Sequence, residues 1–483
     1  MKTNSPILRI LRSAYPFLLA LPLLMFVAPA SILRAQTATA SAPAASGISL
    51  LTVVQDAERD YPLIHVTEAE LNASVANIRL SRTAYLPRVD GIAQFNRATR
   101  NNVFGALLPQ STLPSMSGPV IGTNNGRSVW GSATGLLINW QPFDFGLRHA
   151  NVQSAIAAKD RADATARRTQ LEVSTAAADA YLTVLVAMRA KTAAQAAVDN
   201  WETLRVSVHA LTSAQLRPGA DESRIEAEKA AAKTQLALAD EAVEMSKATL
   251  AKFLMKPEVA GPELASTHLF EELPANIDDG LPFQPSANPI MAEQKASVAQ
   301  SAAQLHATER SWVPQFNLEG AAYARGTGAE TNGQRLSGAN GLAPNVGNYA
   351  VGVNVTFPFM DFASAHARSA SQASSLKAAE AHEQLAGREL QEQFAQATAV
   401  LRASRAIAEN TPVSLSAAKT TLAQANARYK AGLSSIDEVA QAQRLGVQAE
   451  IDDTIARLNV WRALLHLQAV RGDLQPFLQA ASR

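Results

Sequence analysis

The chain has 483 residues, of which 18 % are charged, with a formal net charge of +1 and no cysteine. Near-neutrality without a long run of one sign leaves no electrostatic case for nucleic-acid binding. The missing cysteines exclude a disulfide framework, thiolate metal sites and a lipid-modified N-terminal cysteine.

Residues 1–35 read as a secretory signal peptide. Lys2, Arg9 and Arg12 precede an apolar run from Tyr15 to Ala30, and small residues surround Ala28-Pro29-Ala30 and Ala35-Gln36. Pro22 and Pro29 interrupt the run. It is also short for a membrane span, which needs roughly 20 residues. Residues 36–49 are rich in Ala, Ser and Pro. Such a segment is expected to be disordered. Beyond residue 47 no stretch of eighteen apolar residues exists. If this exported chain crosses a membrane, it must do so as a closed β-barrel, because a bilayer core tolerates only structures that pair all their backbone polar groups internally.

From residue 50 onward one plan occurs twice. Residues 50–86 form a helical segment, 87–142 a β-hairpin with a long loop at 98–127, and 143–256 a long helix and a return helix. After an irregular linker at 257–288, the plan repeats as a helical segment at 289–313, a hairpin at 314–358 with its loop at 326–347, and two helices over 359–472, followed by a tail at 473–483. The landmarks that align the copies are Pro62 and Pro289, Pro87 and Pro314, Trp140 and Phe357, Asp144 and Asp361, and Gly219 and Gly432. Tandem duplication is the simplest account.

Four segments alternate with a period of two. Val89, Ala93 and Phe95 oppose Arg88, Asp90, Gln94 and Asn96, with Ile92 out of pattern; Trp130, Leu136, Ile138 and Trp140 share a face. Phe316, Leu318, Ala322 and Ala324 oppose Gln315, Asn317, Glu319 and Arg325, and Tyr349, Val351, Val353, Val355 and Phe357 oppose Asn354 and Thr356. Their length suits a tilted transmembrane strand of ~9–11 residues better than a globular strand of ~5–6. Trp130, Trp140, Tyr349 and Phe357 stand at strand ends. Membrane-interface aromatics belong at such positions.

Leu147 to Arg217 contains no Gly or Pro. As one helix, at a rise of about 1.5 Å per residue, this stretch would reach roughly 107 Å. Seven-residue stripes of small and apolar residues run through the helical segments: Val173, Ala177, Ala180, Val184 and Ala187; then Val243, Ser246, Leu250 and Phe253; later Leu458, Trp461 and Leu465. They predict coiled-coil seams. Pro412 lies inside the second long segment. It predicts a bend there. No HExxH, GxSxG, P-loop or dinucleotide fingerprint occurs, and the histidines are scattered. No catalytic, cofactor-binding or metal residue is therefore assigned. The competing architecture is an exported periplasmic coiled-coil adaptor or rod without a barrel, which leaves the four long alternating strands unexplained.

This order resembles the TolC-like outer membrane efflux proteins over essentially the whole chain from Leu50 to Gly472. The fold class that the resemblance implies is mainly α with transmembrane β: four strands per chain contributing to a trimeric twelve-stranded barrel continued by a periplasmic helical tunnel. The resemblance implies a non-enzymatic, passive exit duct in the outer membrane of a Gram-negative-type cell. It also implies a homotrimer embedded in outer membrane lipid, docked through a periplasmic adaptor (membrane fusion) protein onto an inner-membrane transporter for efflux or type I secretion. The family's docking turn is matched by Gly432, Leu433 and Ser434, while the first copy matches at Gly219 alone, in a turn one residue shorter. The acidic constriction of the family is matched by Glu438, but its second position holds Gln441, with Asp437 beside the match, which implies a single-carboxylate gate.

Overall fold

The computed structural model describes residues 47–99, 128–215, 218–255, 268–274, 282–330, 334–357 and 359–482. The expected signal peptide, residues 36–46, nearly all of loop 98–127, Arg217 and most of the linker lie outside them.

The first helical segment is two helices, α1 (Leu50–Asp60) and α2 (Pro62–Thr83). Pro62 takes the first position of α2, and the chain turns at Tyr61. The missing N–H of a proline costs no hydrogen bond at that position. Strands β1 (Arg88–Thr99) and β2 (Ser128–Phe143) follow, then α3 (Leu147–Ser213, 67 residues) and α4 (Gly219–Leu254). The linker contains a short helix α5 (His268–Glu271) and one 3-10 turn at Pro285–Ala287. The second copy comprises α6 (Pro289–Glu309), β3 (Gln315–Thr327), β4 (Val346–Thr356), α7 (Phe362–Lys430, 69 residues) and α8 (Ile436–Arg471). Residues 475–481 of the tail are a helix, α9 (Gln475–Ala481), with Phe477 fully buried against Trp461 at 6.4 Å between ring centroids.

The strands form one antiparallel sheet in the order β1-β2-β3-β4, so each strand lies next to its sequence neighbour. Val89, Ile138, Gly320 and Val351 line up across it, as do Gly91, Leu136, Ala322 and Tyr349. Both outer edges lack a partner among the described residues.

The helices explain their own alanine content. α3 and α4 pack as an antiparallel pair and so do α7 and α8; α3 also runs against α1, α2, α6 and α8. Val173, Ala177, Ala180, Val184 and Ala187 are all buried at these seams. Small side chains there let helix axes approach. An 18-residue window of α3 is apolar enough to cross a bilayer, but 56 % of it is buried inside the protein, as suits a core helix. The helix α7 continues through Pro412, and Thr411 beside it donates from Oγ1 to Asp453 of α8 at 2.7 Å. A proline inside a helix removes one backbone donor. Here the neighbouring hydroxyl fastens that turn to the next helix.

Short helices meet long-hairpin ends head to tail in both copies. α4 ends beside the start of α2, where Tyr61 stacks on Phe253 at 5.3 Å and Lys252 lies 5.7 Å from the Tyr61 ring. α8 ends at the start of α6, where the buried Asn288 caps both helices. Its Nδ2 donates to Ala469 O (3.3 Å) and Val470 O (2.8 Å), and its Oδ1 accepts from Ile290 N at 2.8 Å. One amide thereby satisfies orphan groups of two helix ends.

Candidate functional site

Two regions carry the chemistry expected of a duct: the faces of the sheet and the far ends of the helical hairpins. On the sheet, one face is apolar and open. Val89, Phe95, Leu136, Ile138, Trp140, Tyr349, Val351, Val353 and Phe357 are all exposed on it, Tyr349 at 86 %. A soluble sheet buries such a face, whereas a bilayer is the solvent that rewards it. Trp130 and Trp140 fall on this face towards opposite ends of β2, Tyr349 lies on it in the first half of β4, and Phe357 directly follows that strand. Trp130 and Trp140 are ten positions apart. At about 3.3 Å per residue and a tilt of about 40°, a strand of that length spans roughly 25 Å, the height of an apolar membrane band. Trp140 Nε1 also donates to Tyr85 O at 3.0 Å, tying the strand to the end of α2.

The opposite face carries Arg88, Asp90, Gln94, Asn139, Asn317, Glu319 and Arg325. Arg88 is engaged by Asp90 at 2.9 Å. Glu319 is only 8 % exposed and its Oε1 has no hydrogen-bond partner.

Where the sheet meets the first long helix, Asp144 accepts from Gly146 N (3.2 Å), Arg148 N (2.7 Å) and Arg148 Nε (2.9 Å). The side chains of this pair are 9 % and 8 % exposed, and Arg148 also donates to Ala84 O and lies over the Tyr85 ring at 4.8 Å. Burial pushes the Asp144 carboxyl up. The Arg148 side-chain and backbone hydrogen bonds, the Arg148 charge and the Gly146 N–H outweigh it, so the net shift is downward. Asp361, its counterpart in the second copy, makes no side-chain cap to α7.

At the far end, α7 stops in a glycine cap. Gly432 has φ +79°, its N–H donates to Tyr429 O at 3.0 Å, and Leu433 N donates to Arg428 O at 2.9 Å. These are the two bonds of a Schellman turn. Leu433 is 72 % exposed at the tip, next to Ser434.

The expectation for the first copy needs correction. Gly219 does not take a positive φ; it is the first residue of α4, and a Cβ there would meet nothing within 4 Å. The left-handed position after α3 belongs to Gln215, φ +57°, whose N–H donates to Thr212 O at 3.0 Å. Ser213 and Lys430, Gly219 and Ile436, and Leu254 and Arg471 each stand 217 positions apart, so both tips have turns of five residues and neither is shorter. Gln215, not Gly219, answers Gly432.

Nor does Glu438 stand alone. Its Oε1 lies 3.4 Å from Arg428 Nη1, and Asp437 lies 3.4 Å from Arg224 Nε of α4. Gln441 is exposed one turn further along. Around them the two hairpins are tied together by groups that carried no recognisable motif. Tyr429 donates its phenolic O–H to Asp221 Oδ2 at 3.0 Å, and Arg444 pairs with Glu228 at 2.8 Å. Trp201, Val208, Ile225, Ala425, Tyr429, Ile436 and Val439 form an apolar cluster beneath. Within the first hairpin, Glu222 accepts from Thr212 and pairs with His209 at 2.7 Å, and this His209 bond is the main cause of its lowered pKa. Glu202, between Arg205 and Lys229, is lowered to about 2, first by the Arg205 hydrogen bond.

The sequence profile of the outer membrane efflux protein family matches residues 53–254 and 286–473, and the chain belongs to that family. It is accordingly an outer membrane efflux protein and not an enzyme. Among solved structures it is similar to the outer-membrane channel OprN, with 20 % identity and a TM-score of 0.70 over 88 % of this chain and 89 % of that one. The CmeC outer membrane channel of Campylobacter jejuni matches with 12 % identity and a TM-score of 0.70 over 88 % and 85 %. The open state of the MtrE outer membrane channel of Neisseria gonorrhoeae gives 17 % and 0.66 over 88 % and 89 %. These likenesses speak for the fold. No curated protein matches the chain in sequence.

Proposed function

We propose that three copies of this chain close a twelve-stranded barrel in the outer membrane and continue it as a helical tunnel through the periplasm, forming the passive exit duct of a tripartite efflux or type I secretion system. The observation that carries this reading is the four-stranded sheet with an exposed apolar face and, among the described residues, two unpartnered edges. A bilayer core does not tolerate open edges, and four strands are too few to close, since the smallest transmembrane barrels use about eight. The β4 edge of one copy then pairs with the β1 edge of the next.

On this reading the hairpin tips point to the inner membrane. The Gly432-Leu433-Ser434 turn docks a periplasmic adaptor, as does the corresponding turn that ends at Gly219, and the adaptor joins the duct to its pump. Glu438, with Asp437 and Gln441 beside it, lines the narrow end, where three symmetry-related carboxylates would repel one another and attract cations. The Arg428 pair lessens that repulsion. Energy is supplied by the pump; the duct contributes a wet path and a gate.

The chain has no cysteine, so one cysteine on the outer edge of β1 and one on that of β4 would be its only thiols. Oxidation in native outer membrane is expected to give a covalent ring of three. A product that stops at one or two chains sinks the proposal.

A further inference from the structure

Glu319 lies on β3, one of the two inner strands of the sheet, on the polar face, opposite Asn139 of β2 and Gly352 of β4. It is 8 % exposed, and its Oε1 meets no donor. Among the described residues, the two cations of that face do not serve it. Arg88 belongs to β1 and is held by Asp90. Arg325 stands six positions along the same strand. That separation is roughly 20 Å at about 3.3 Å per residue. A carboxylate withdrawn from water without a counter-charge is strongly disfavoured, and one retained in a fold calls for a partner from outside it. Both sheet neighbours of β3 belong to this same chain, so an adjoining subunit cannot supply that partner through strand pairing. What remains is the space the polar face looks into.

We infer that Glu319 is a cation site in the barrel wall, distinct from the carboxylates at the helical tip, and that it takes a hydrated hard cation such as Mg²⁺ or Ca²⁺. This rests on the proposed channel. Carboxylate and amide oxygens are the donors such ions prefer. Asn139 stands directly across the strand pair. Side chains so placed start about 5 Å apart. Gly352, across the other strand pair, adds no side chain beside it. Among the described residues no group of three or more His, Cys, Asp or Glu is clustered to hold a metal, so the site offers one carboxylate per chain and exchanges its ion. Weak, repeated sites of that kind favour entry of one sign of charge without trapping it. Three copies in a ring would put three negative charges at one level of the lumen.

The test is ion selectivity in planar bilayers. Wild-type pores at about 0.1 M salt, where the Debye length is about 10 Å, are expected to prefer cations more strongly than Glu319→Gln pores, with the permeability ratio falling about twofold or more. The difference should vanish near 1 M salt, where screening shortens to about 3 Å. Millimolar Mg²⁺ should reduce wild-type conductance more than that of the variant. A second variant uses the absence of other thiols: Glu319→Cys should recover cation preference after reaction with an anionic thiol reagent and lose it further after a cationic one. Pores whose selectivity ignores both substitutions overturn the cation site alone. If the wild-type protein forms no pores, the channel reading falls and the site falls with it.

Discussion

The two copies of the repeat stop their helices at the same places by different means. After the long helix, the first copy puts Gln215 in the left-handed region and the second puts Gly432; after the return helix, the first uses Met255, φ +50°, and the second Gly472, φ +90°. A side chain in that region costs roughly 1–2 kcal/mol, and glycine avoids the cost. The second copy also closes its head-to-tail joint with the doubly capping Asn288, where the first relies on the Tyr61–Phe253 stack. At the junction with the sheet the order is reversed, because the buried Asp144–Arg148 pair locks the first copy while Asp361 leaves the second without a side-chain cap. Duplication preserved the geometry and let each copy concentrate its stabilisation at a different point.

Substitutions at matched positions would sharpen or break that contrast. The largest effect is expected at the sheet junction: Asp144→Ala strands the buried Arg148 and should cost about 3 kcal/mol, while Asp361→Ala should cost under about 1 kcal/mol. Hydrogen exchange in the first turns of α3 and α7 reads both, and equal effects would contradict the asymmetry. The same pair predicts a pH dependence. The folded pKa of Asp144 lies below the usual carboxylate value. Its contribution to stability is therefore present above about pH 4 and lost as the pH falls through the depressed value. Thermal midpoints in detergent should drop on acidification in the wild type, and less so in Asp144→Asn.

Next in size is Gly472→Ala, where a Cβ would lie 2.8 Å from Asn288 Cα and 2.9 Å from Pro289 Cδ on a positive φ. A loss of about 2–3 kcal/mol is expected in unfolding experiments, against a gain of up to about 1 kcal/mol for Met255→Gly. Asn288→Ala removes three hydrogen bonds across the joint. It should cost about 2 kcal/mol, accompanied by faster amide exchange at the end of α8 and the start of α6. The smallest effects lie at the tips. Gln215→Gly should stabilise by about 1 kcal/mol and Gly219→Ala should stay within about 0.5 kcal/mol, and a large loss at Gly219 would restore it as the counterpart of Gly432.

The architecture was legible in the sequence because its signals are periodic. Strands of alternating polarity, alanine seams every seven residues and paired prolines all mark elements whose length far exceeds the uncertainty at their ends. The break at Tyr61 falls just before Pro62, inside what the sequence reads as a single helical segment because apolar residues continue on both sides. The tip of the first copy misled for a physical reason: glycine is the visible sign of a left-handed residue, and there the left-handed residue is a glutamine. With Gly219 taken as the landmark, the copies fell out of register by four positions. Tyr429, Asp221, Arg444 and Glu228 carried no signal, since inter-helix ties on a coiled coil use ordinary polar residues whose pairing depends on rotational phase. Glu319 read as one polar residue among several on its strand; only its burial without a partner sets it apart.

The unvarying separation of 217 from the tips to the ends of the return helices makes the two return helices legs of one length. One added residue in either leg would advance its foot by about 1.5 Å and swing it through about 100°. A mouth assembled from such legs would stand uneven on any platform beneath it; the length difference between the copies falls instead between Pro87 and Trp140, answered by Pro314 and Phe357, in the hairpin and its loop.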